Sequence, residues 1–191
     1  MGADLTACAR ALSVGGVNSL ELAMTTPAAL STLEKAAAAL PDFQFGLGTV
    51  LDVDTARLAI LAGASFIATP SLRPTVITLC RRYNVPVVSG TFAPADIAAA
   101  HAAGADLVKV FPGELFGPAY LQKLKQEFPD VEMIAIGGVT PMTVTEFLRV
   151  GVLAAVAGSS LVEPELLAQK NWSEISARAR KFTGAIAGLT V

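Results

Sequence analysis

The sequence predicts an α/β protein, specifically a (β/α)8 TIM barrel, from the spacing and character of its apolar runs. Seven such runs start at Leu20, Phe45, Phe66, Pro86, Leu107, Met133 and Ala154. The starts are roughly 20 to 26 residues apart, about the length of one strand plus one helix. Each run is continuously apolar rather than alternating, as expected for a parallel sheet that is covered on both faces. With no break in composition, residues 1–191 are predicted to form a single barrel domain.

The segments between the runs have helical patterns. Residues 52–64 open with a potential N-cap at Asp52 or Asp54 and end near Gly63, while residues 93–106 place Pro94 in a first turn. Helices that alternate with buried strands favour a barrel, and an open doubly wound sheet is the alternative.

The number of strands departs from a complete barrel. Only seven runs are found, and the chain opens with a helical segment, residues 3–16, where a first strand would be expected. We therefore predict a barrel that lacks its first strand at the N-terminus. The resulting gap would expose two strand edges, which proteins usually cover. We expect either that the sequence is a truncated or alternatively started version, or that the gap is filled by the C-terminal residues 184–191 or by a neighbouring subunit.

Composition excludes several classes of function. The chain is 53% hydrophobic and 16% charged with a net charge of −2, which gives no indication of nucleic-acid or membrane binding. No apolar stretch reaches the ~18 residues of a membrane span, and the N-terminus does not resemble a secretion signal. Two isolated cysteines and a single histidine predict neither a disulfide framework nor a metal site. A cytoplasmic protein without a metal is the expectation.

In a barrel, functional side chains lie at the carboxyl ends of the strands, and here those ends carry unusual residues. Thr49 follows the second run, Gly137 and Gly138 end the sixth, and Ser159 belongs to a Gly-Ser-Ser turn after the last. Glycine-rich turns expose backbone N–H groups to anions, and in barrels the last two loops often bind phosphate. The sixth and seventh runs therefore predict a phosphate site.

Lys109 is the residue that most needs an explanation. It lies between Val108 and Val110, and a strand interior is an unfavourable place for an ammonium group. Loss of hydration favours a neutral amine, which is the nucleophile that forms a Schiff base with a carbonyl. Alternatively, Lys109 faces outward, or forms a buried ion pair with Glu21 or Asp106. Glu21 is also embedded in a strand and could transfer protons beside the amine.

Six sequence blocks, in order, resemble those of the 2-keto-3-deoxy-6-phosphogluconate/4-hydroxy-2-oxoglutarate (KDPG/KHG) aldolase family. They are LELAMTTP, FGLGTVLD, GASFIATPSL, LVKVFPGELFGPAYL, AIGGVTPMTVTEFLRVGV and GSSLV. The resemblance runs from about Ala9 to Val162. It implies a class I aldolase on a (β/α)8 barrel, typically a homotrimer, that releases pyruvate from a keto acid substrate without a metal or organic cofactor.

Carried onto this sequence, the resemblance implies a role for each candidate residue. Lys109 would form the Schiff base and Glu21 would be the acid/base residue. Thr49 would hold the pyruvyl carboxylate and Phe111 would line the pocket. The substrate phosphate would be taken by a set of turn residues: Gly137, Gly138 and Ser159.

The sequence departs from the family pattern where anions are bound. An arginine at the end of a first strand is absent, and Thr25 stands where the family usually has a second arginine. Ile136 replaces a threonine before the Gly-Gly pair. These differences favour one alternative, a truncated, catalytically weak or inactive barrel that acts as a binding or assembly protein. The glycine turns leave open a second, a phosphate-binding barrel with another reaction, which would not explain Lys109.

Overall fold

The computed structural model describes residues 4–189, which contain seven strands and nine helices. The strands are β1 Ser19–Ala23, β2 Gln44–Gly48, β3 Phe66–Thr69, β4 Val87–Thr91, β5 Leu107–Val110, β6 Met133–Ile136 and β7 Ala154–Val156. The helices are α1 Leu5–Val14, α2 Ala29–Ala39, α3 Val53–Leu61, α4 Pro74–Arg82, α5 Pro94–Ala102, α6 Gly113–Glu127, α7 Val144–Arg149, α8 Pro164–Ala168 and α9 Trp172–Ile186. All seven predicted runs contain a strand, and the predicted N-terminal helix is α1.

The seven strands form one parallel sheet in the order of the sequence, from β1 to β7. Each neighbouring pair is parallel, as the βα repeat predicts. The sheet curls, so the structure confirms the alternating architecture and a TIM-like half-barrel. An open doubly wound sheet would not run in sequence order.

The curled sheet separates two apolar cores. The larger lies between the sheet and the helices and includes Val108 and Met133, while a smaller cluster of Ala68, Val88 and Ile134 fills the concave side. Side chains alternate between the faces of a strand. Because Val108 and Val110 belong to the helix-side core, Lys109 between them is directed to the concave side.

Helices α1 and α9 pack together beside the gap between β1 and β7. Among residues 4–189, β1 and β7 are each paired on one edge, yet α1 packs against α9 across the interval between them. Ser176 Oγ donates to the carbonyl of Ala11 at 2.8 Å, and Thr183 Oγ1 donates to that of Gly15 at 2.8 Å. The expectation that residues 184–191 form the additional strand is wrong for residues 184–186, which are helical. Thr190 and Val191 lie outside the described residues.

Both cysteines are buried free thiols on the helix side. Burial, with a smaller contribution from Asp4, raises the pKa of Cys8 to about 11. Burial, with a smaller contribution from Asp106, does the same for Cys80. Both thiols therefore remain protonated and poorly nucleophilic near neutral pH. Within residues 4–189, no helix combines the length and apolar character that a membrane crossing requires.

Gly15 is required by the contact between α1 and α9. A Cβ at this position would overlap Ala179 Cβ and lie 2.9 Å from the carbonyl oxygen of Ser176. We expect Gly15→Ala to lower the free energy of unfolding by about 1–3 kcal/mol, because the two helices must separate.

Gly184→Ala is the matched control, since a Cβ added there would meet nothing within 4 Å and alanine favours the helix. It should be neutral or stabilising. Urea unfolding followed by circular dichroism measures both variants, and equal stability of the two would contradict this account of the helix contact.

Candidate active site

A cavity of about 680 Å³ opens at the carboxyl ends of the strands. Its walls come from the ends of β1 to β6 and the loops that follow them. Its lining residues are Glu21, Thr49, Thr69, Pro70, Ser71, Leu72, Gly90, Thr91, Phe92, Asp96, Ala99, Lys109, Phe111, Pro112 and Ile136. Four of the predicted site residues, Lys109, Glu21, Thr49 and Phe111, are therefore brought to one cavity.

Lys109 and Glu21 meet across the concave side of the sheet. Lys109 Nζ lies 2.9 Å from both carboxylate oxygens of Glu21, so it contacts the carboxylate in a bidentate manner. The side chains are 12% and 25% exposed, which leaves the pair reachable from the cavity while much of each is desolvated. The alternative partner, Asp106, instead accepts a hydrogen bond from the backbone N–H of Val87 at 2.8 Å.

Gly48 leaves the space that Glu21 occupies. A Cβ at position 48 would overlap Glu21 Oε1 and lie 2.7 Å from its Cδ. The strand register brings the two residues together, because Gly46 pairs with Glu21 and Gly48 is next on the same face of β2. The alternating glycines of FGLGTV in the sequence are explained in part by this requirement.

Thr49 adopts an unfavourable backbone conformation at the cavity. Its φ is +61°, in the left-handed region that β-branched residues rarely enter. Hydrogen bonds on both sides hold the segment, from Met24 N to the Gly48 carbonyl at 2.9 Å and from Val50 N to the Ala68 carbonyl at 3.1 Å. Strain of this kind is concentrated at functional sites, so a threonine here points to a role for its side chain.

The segment after β4 contributes two cavity residues that sequence reasoning missed, Phe92 in the loop and Asp96 in the first turn of α5. Asp96 Oδ2 accepts from the backbone N–H groups of Phe92 at 3.1 Å and Ala93 at 3.0 Å, which fixes the loop. Phe92 remains 53% exposed and lines the cavity together with Phe111, which is 54% exposed. The feature of the sequence that could have revealed Phe92 is its position, an aromatic residue directly after a strand that ends in Gly-Thr.

The predicted phosphate residues lie outside the cavity lining. Gly137 and Gly138 both have positive φ, +98° and +68°, and form the turn after β6. Ser159 is exposed in the turn after β7, and its neighbour Ser160 donates to the Val139 carbonyl at 2.7 Å, which joins the two turns. Glu114 lies against the glycine turn, because a Cβ at Gly137 would overlap Glu114 Oε2.

The arrangement suits chemistry on a carbonyl compound. An amine and a carboxylate in direct contact, at the base of a partly apolar cavity, form a nucleophile with an adjacent proton acceptor. The carboxylate can take a proton from the ammonium group, and it can return one to a reacting carbon or oxygen.

The parallel βα repeat, with its functional side chains gathered at the carboxyl ends of the strands, defines a TIM-barrel-type site. A sequence model of the KDPG and KHG aldolases matches residues 2–178. The chain belongs to this aldolase family.

Individual relatives agree with that assignment. A 2-dehydro-3-deoxy-phosphogluconate aldolase from Haemophilus influenzae is 31% identical over 184 residues, which cover 96% of this chain and 87% of the relative. The solved structure of native KDPGal superposes with a TM-score of 0.90 at 26% identity, covering 98% of this chain and 90% of that one. The KDPG aldolase of Legionella pneumophila, solved with pyruvate captured as a covalent carbinolamine, gives a TM-score of 0.85 at 27% identity and covers 93% and 86%.

Gly48→Ala tests whether Glu21 depends on the missing side chain at position 48. We expect the substitution to lower the free energy of unfolding by roughly 1–3 kcal/mol in the otherwise unchanged protein, because the carboxylate must move. In a Glu21→Ala background the same substitution should be milder, with a coupling energy of about 0.5–3 kcal/mol.

Gly158→Ala serves as the control in the same cycle, since a Cβ there would meet nothing within 4 Å. Its effect should add to that of Glu21→Ala without coupling. Chemical unfolding of the three single variants, the two double variants and the parent protein gives both coupling energies, and additive behaviour of Gly48→Ala would refute the contact.

Proposed function

We propose that this chain is a class I aldolase, an aldehyde-lyase that cleaves a 2-keto-4-hydroxy acid to pyruvate and an aldehyde. Lys109 is the Schiff-base lysine and Glu21 is the acid/base residue. The observation that carries the proposal is the contact of Lys109 Nζ with both oxygens of Glu21, 2.9 Å each, inside a cavity at the carboxyl ends of the strands. Membership of the KDPG/KHG aldolase family supports it.

The reaction begins when Glu21 accepts a proton from the Lys109 ammonium group. The neutral amine attacks C2 of the keto acid to give a carbinolamine. Glu21 then returns its proton to the carbinolamine hydroxyl, which leaves as water, so that an iminium ion forms and Glu21 is again a carboxylate. Glu21 or a water bound to it then removes the proton of the C4 hydroxyl. The C3–C4 bond breaks, its electron pair moves toward the iminium nitrogen, and the aldehyde leaves. Protonation of the enamine at C3 and hydrolysis of the imine release pyruvate.

The iminium ion is the electron sink of this sequence, so the reaction as drawn requires no metal or organic cofactor. Thr49, beside the Lys109–Glu21 pair on the cavity wall, would hold the pyruvyl carboxylate through its hydroxyl and backbone N–H groups. Phe111 would form an apolar wall. Gly137, Gly138 and Ser159 remain a predicted phosphate site.

The wider organisation belongs to the same proposal. Residues 1–191 form one domain. The full fold is an eight-stranded barrel in which a further strand, not one of β1 to β7, lies between β7 and β1. The single paired edges of β1 and β7, beneath the packed α1 and α9, support this. A cytoplasmic location fits two buried, unpaired thiols, which suit a reducing compartment.

A binding or assembly protein is the second candidate, and the bidentate ion pair is the observation that favours it, since a permanent pair would tie up the amine. The two candidates differ in one respect: only an aldolase lysine exchanges its ion pair for a covalent bond to a keto acid.

Incubation with pyruvate and borohydride distinguishes these candidates. We expect intact-mass analysis and peptide mapping to find one reduced pyruvyl adduct, on Lys109, because borohydride traps the imine. Lys109→Ala should lose the adduct. The exposed Lys123 provides the control, and Lys123→Ala should retain it. Glu21→Gln should slow trapping by about 10²–10⁴-fold, since proton transfer is lost. A folded protein without an adduct would favour the binding reading.

We also propose a homotrimer. One structural neighbour supports this. It is a protein cage designed by fusing symmetric oligomeric domains, and it matches with a TM-score of 0.89 at 25% identity. Exposed apolar side chains also support it, such as Leu115, 71% exposed, and Met142, 85% exposed. Light scattering after size exclusion should give about three times the chain mass of 19.6 kDa. A mass equal to one chain would exclude the trimer.

A further inference from the structure

Two buried hydroxyl groups on neighbouring strands have no hydrogen-bond partner among the described residues. They are Thr69 Oγ1 at the end of β3 and Ser89 Oγ in β4, in side chains that are 1% and 0% exposed. The two other buried polar side chains of residues 4–189 each donate to a backbone carbonyl, as Ser176 does to Ala11 at 2.8 Å. Arg73 Nε is a further buried atom without a partner in this range, but the Arg73 side chain is partly exposed. The two orphaned hydroxyls therefore need an explanation of their own.

Both hydroxyls lie on the helix side of the sheet. Ile67 and Val87 belong to the helix-side core, and Thr69 and Ser89 follow them by two residues on the same strands. Because side chains alternate along a strand, all four face the helices. The surroundings are apolar, so a hydroxyl group that is unpaired there has given up its hydrogen bonds to bulk water without replacement.

The register of the sheet sets the distance between the two residues. Thr69 and Ser89 are direct partners across β3 and β4, so one strand spacing of roughly 4.8 Å separates them. Side chains that leave adjacent strands in the same direction keep about that separation, which is too long for a direct hydrogen bond of about 2.8 Å. Two hydrogen bonds of that length to one water molecule, at a tetrahedral angle, span roughly 4.6 Å. The strand spacing therefore matches a bridge through a single water.

From these observations we propose a buried water site between β3 and β4, in which one water molecule hydrogen-bonds to both Thr69 Oγ1 and Ser89 Oγ. Each hydroxyl group has one proton to donate and lone pairs that accept, and water has both functions, so a single molecule satisfies the pair. An ion is disfavoured at this position because two neutral hydroxyls supply no compensating charge.

The water fixes the cavity wall beside Lys109. Thr69 borders the cavity, and Gly90, which follows Ser89, is the register partner of Lys109. A Cβ at Gly90 would overlap the carbonyl oxygen of Pro70, so the segment after β3 packs against β4 on the concave side. The water ties the same segment to β4 on the helix side. Thr69 and Pro70 are thereby attached to β4 from both faces, whether or not Lys109 reacts with a keto acid.

A high-resolution crystal structure of the full chain tests the site directly. We expect an ordered water within about 2.5–3.0 Å of both oxygens. Crystals of Ser89→Ala and of Thr69→Val should lose this water, because one of its partners is missing. Crystals of Ser176→Ala, whose hydroxyl group bonds directly to a carbonyl, are the control and should keep it. The proposal is overturned if the two hydroxyls bond to each other or to backbone carbonyls, or if no water contacts both.

Unfolding equilibria in urea give a second measurement that needs no crystals. Ser89→Ala and Thr69→Val should each raise the unfolding equilibrium constant by about five- to tenfold, because the remaining hydroxyl loses its partner. The double variant should raise it by no more than about one single variant does, since the water is lost only once. In the matched pair of Thr69→Val with Ser176→Ala, the two factors should multiply. Factors that multiply for Thr69→Val with Ser89→Ala would contradict a shared water.

Discussion

The ion pair between Lys109 and Glu21 is the contact around which the concave side of the sheet is arranged. Two charged groups taken partly out of water are tolerated only when each supplies the other's missing interactions. Here one ammonium group contacts both oxygens of one carboxylate. The surrounding residues are small where they must be: Gly48 leaves room for the carboxylate, and Gly90 pairs with Lys109 in the adjacent strand.

The same contact requires the sheet to curl. β1 and β5 are four strand positions apart, a separation of roughly 19 Å in a flat sheet with ordinary strand spacing. A lysine and a glutamate side chain together could not readily span that distance while both stand perpendicular to the sheet. A 2.9 Å contact between residues 88 positions apart in sequence is therefore a consequence of curvature, and it links the two sides of the half-barrel.

The sequence predicted the strands well because burial on both faces leaves a simple signature, a short continuous apolar run. It left the direction of Lys109 open, and the structure resolves this because Val108 and Val110 lie in the helix-side core. It could not choose between Glu21 and Asp106 as the partner. Asp106 precedes β5, at the amino ends of the strands, where it accepts from Val87 N, and only the register of the sheet reveals this.

Cavity residues after the end of β4 were harder to predict. Phe92 lies in the loop and Asp96 in the first turn of α5, where the strand alternation has ended and no longer constrains the direction of a side chain. Their placement depends on hydrogen bonds from the Phe92 and Ala93 N–H groups to one carboxylate oxygen, and nothing in the local composition specifies that geometry. The contact of Glu114 with Gly137 likewise joins two segments that are distant in sequence, the first turn of α6 and the turn after β6.

The two carboxylates at the cavity have different roles. Asp96 Oδ2 accepts from the backbone N–H groups of Phe92 and Ala93 and thereby holds the segment after β4. Glu21 contacts the Lys109 ammonium group. In the proposed reaction only Glu21 must give way for a keto acid to reach the amine, because the Asp96 carboxylate has its own partners. The cavity wall can therefore keep its hydrogen bonds while the ion pair is exchanged for a covalent bond to the substrate.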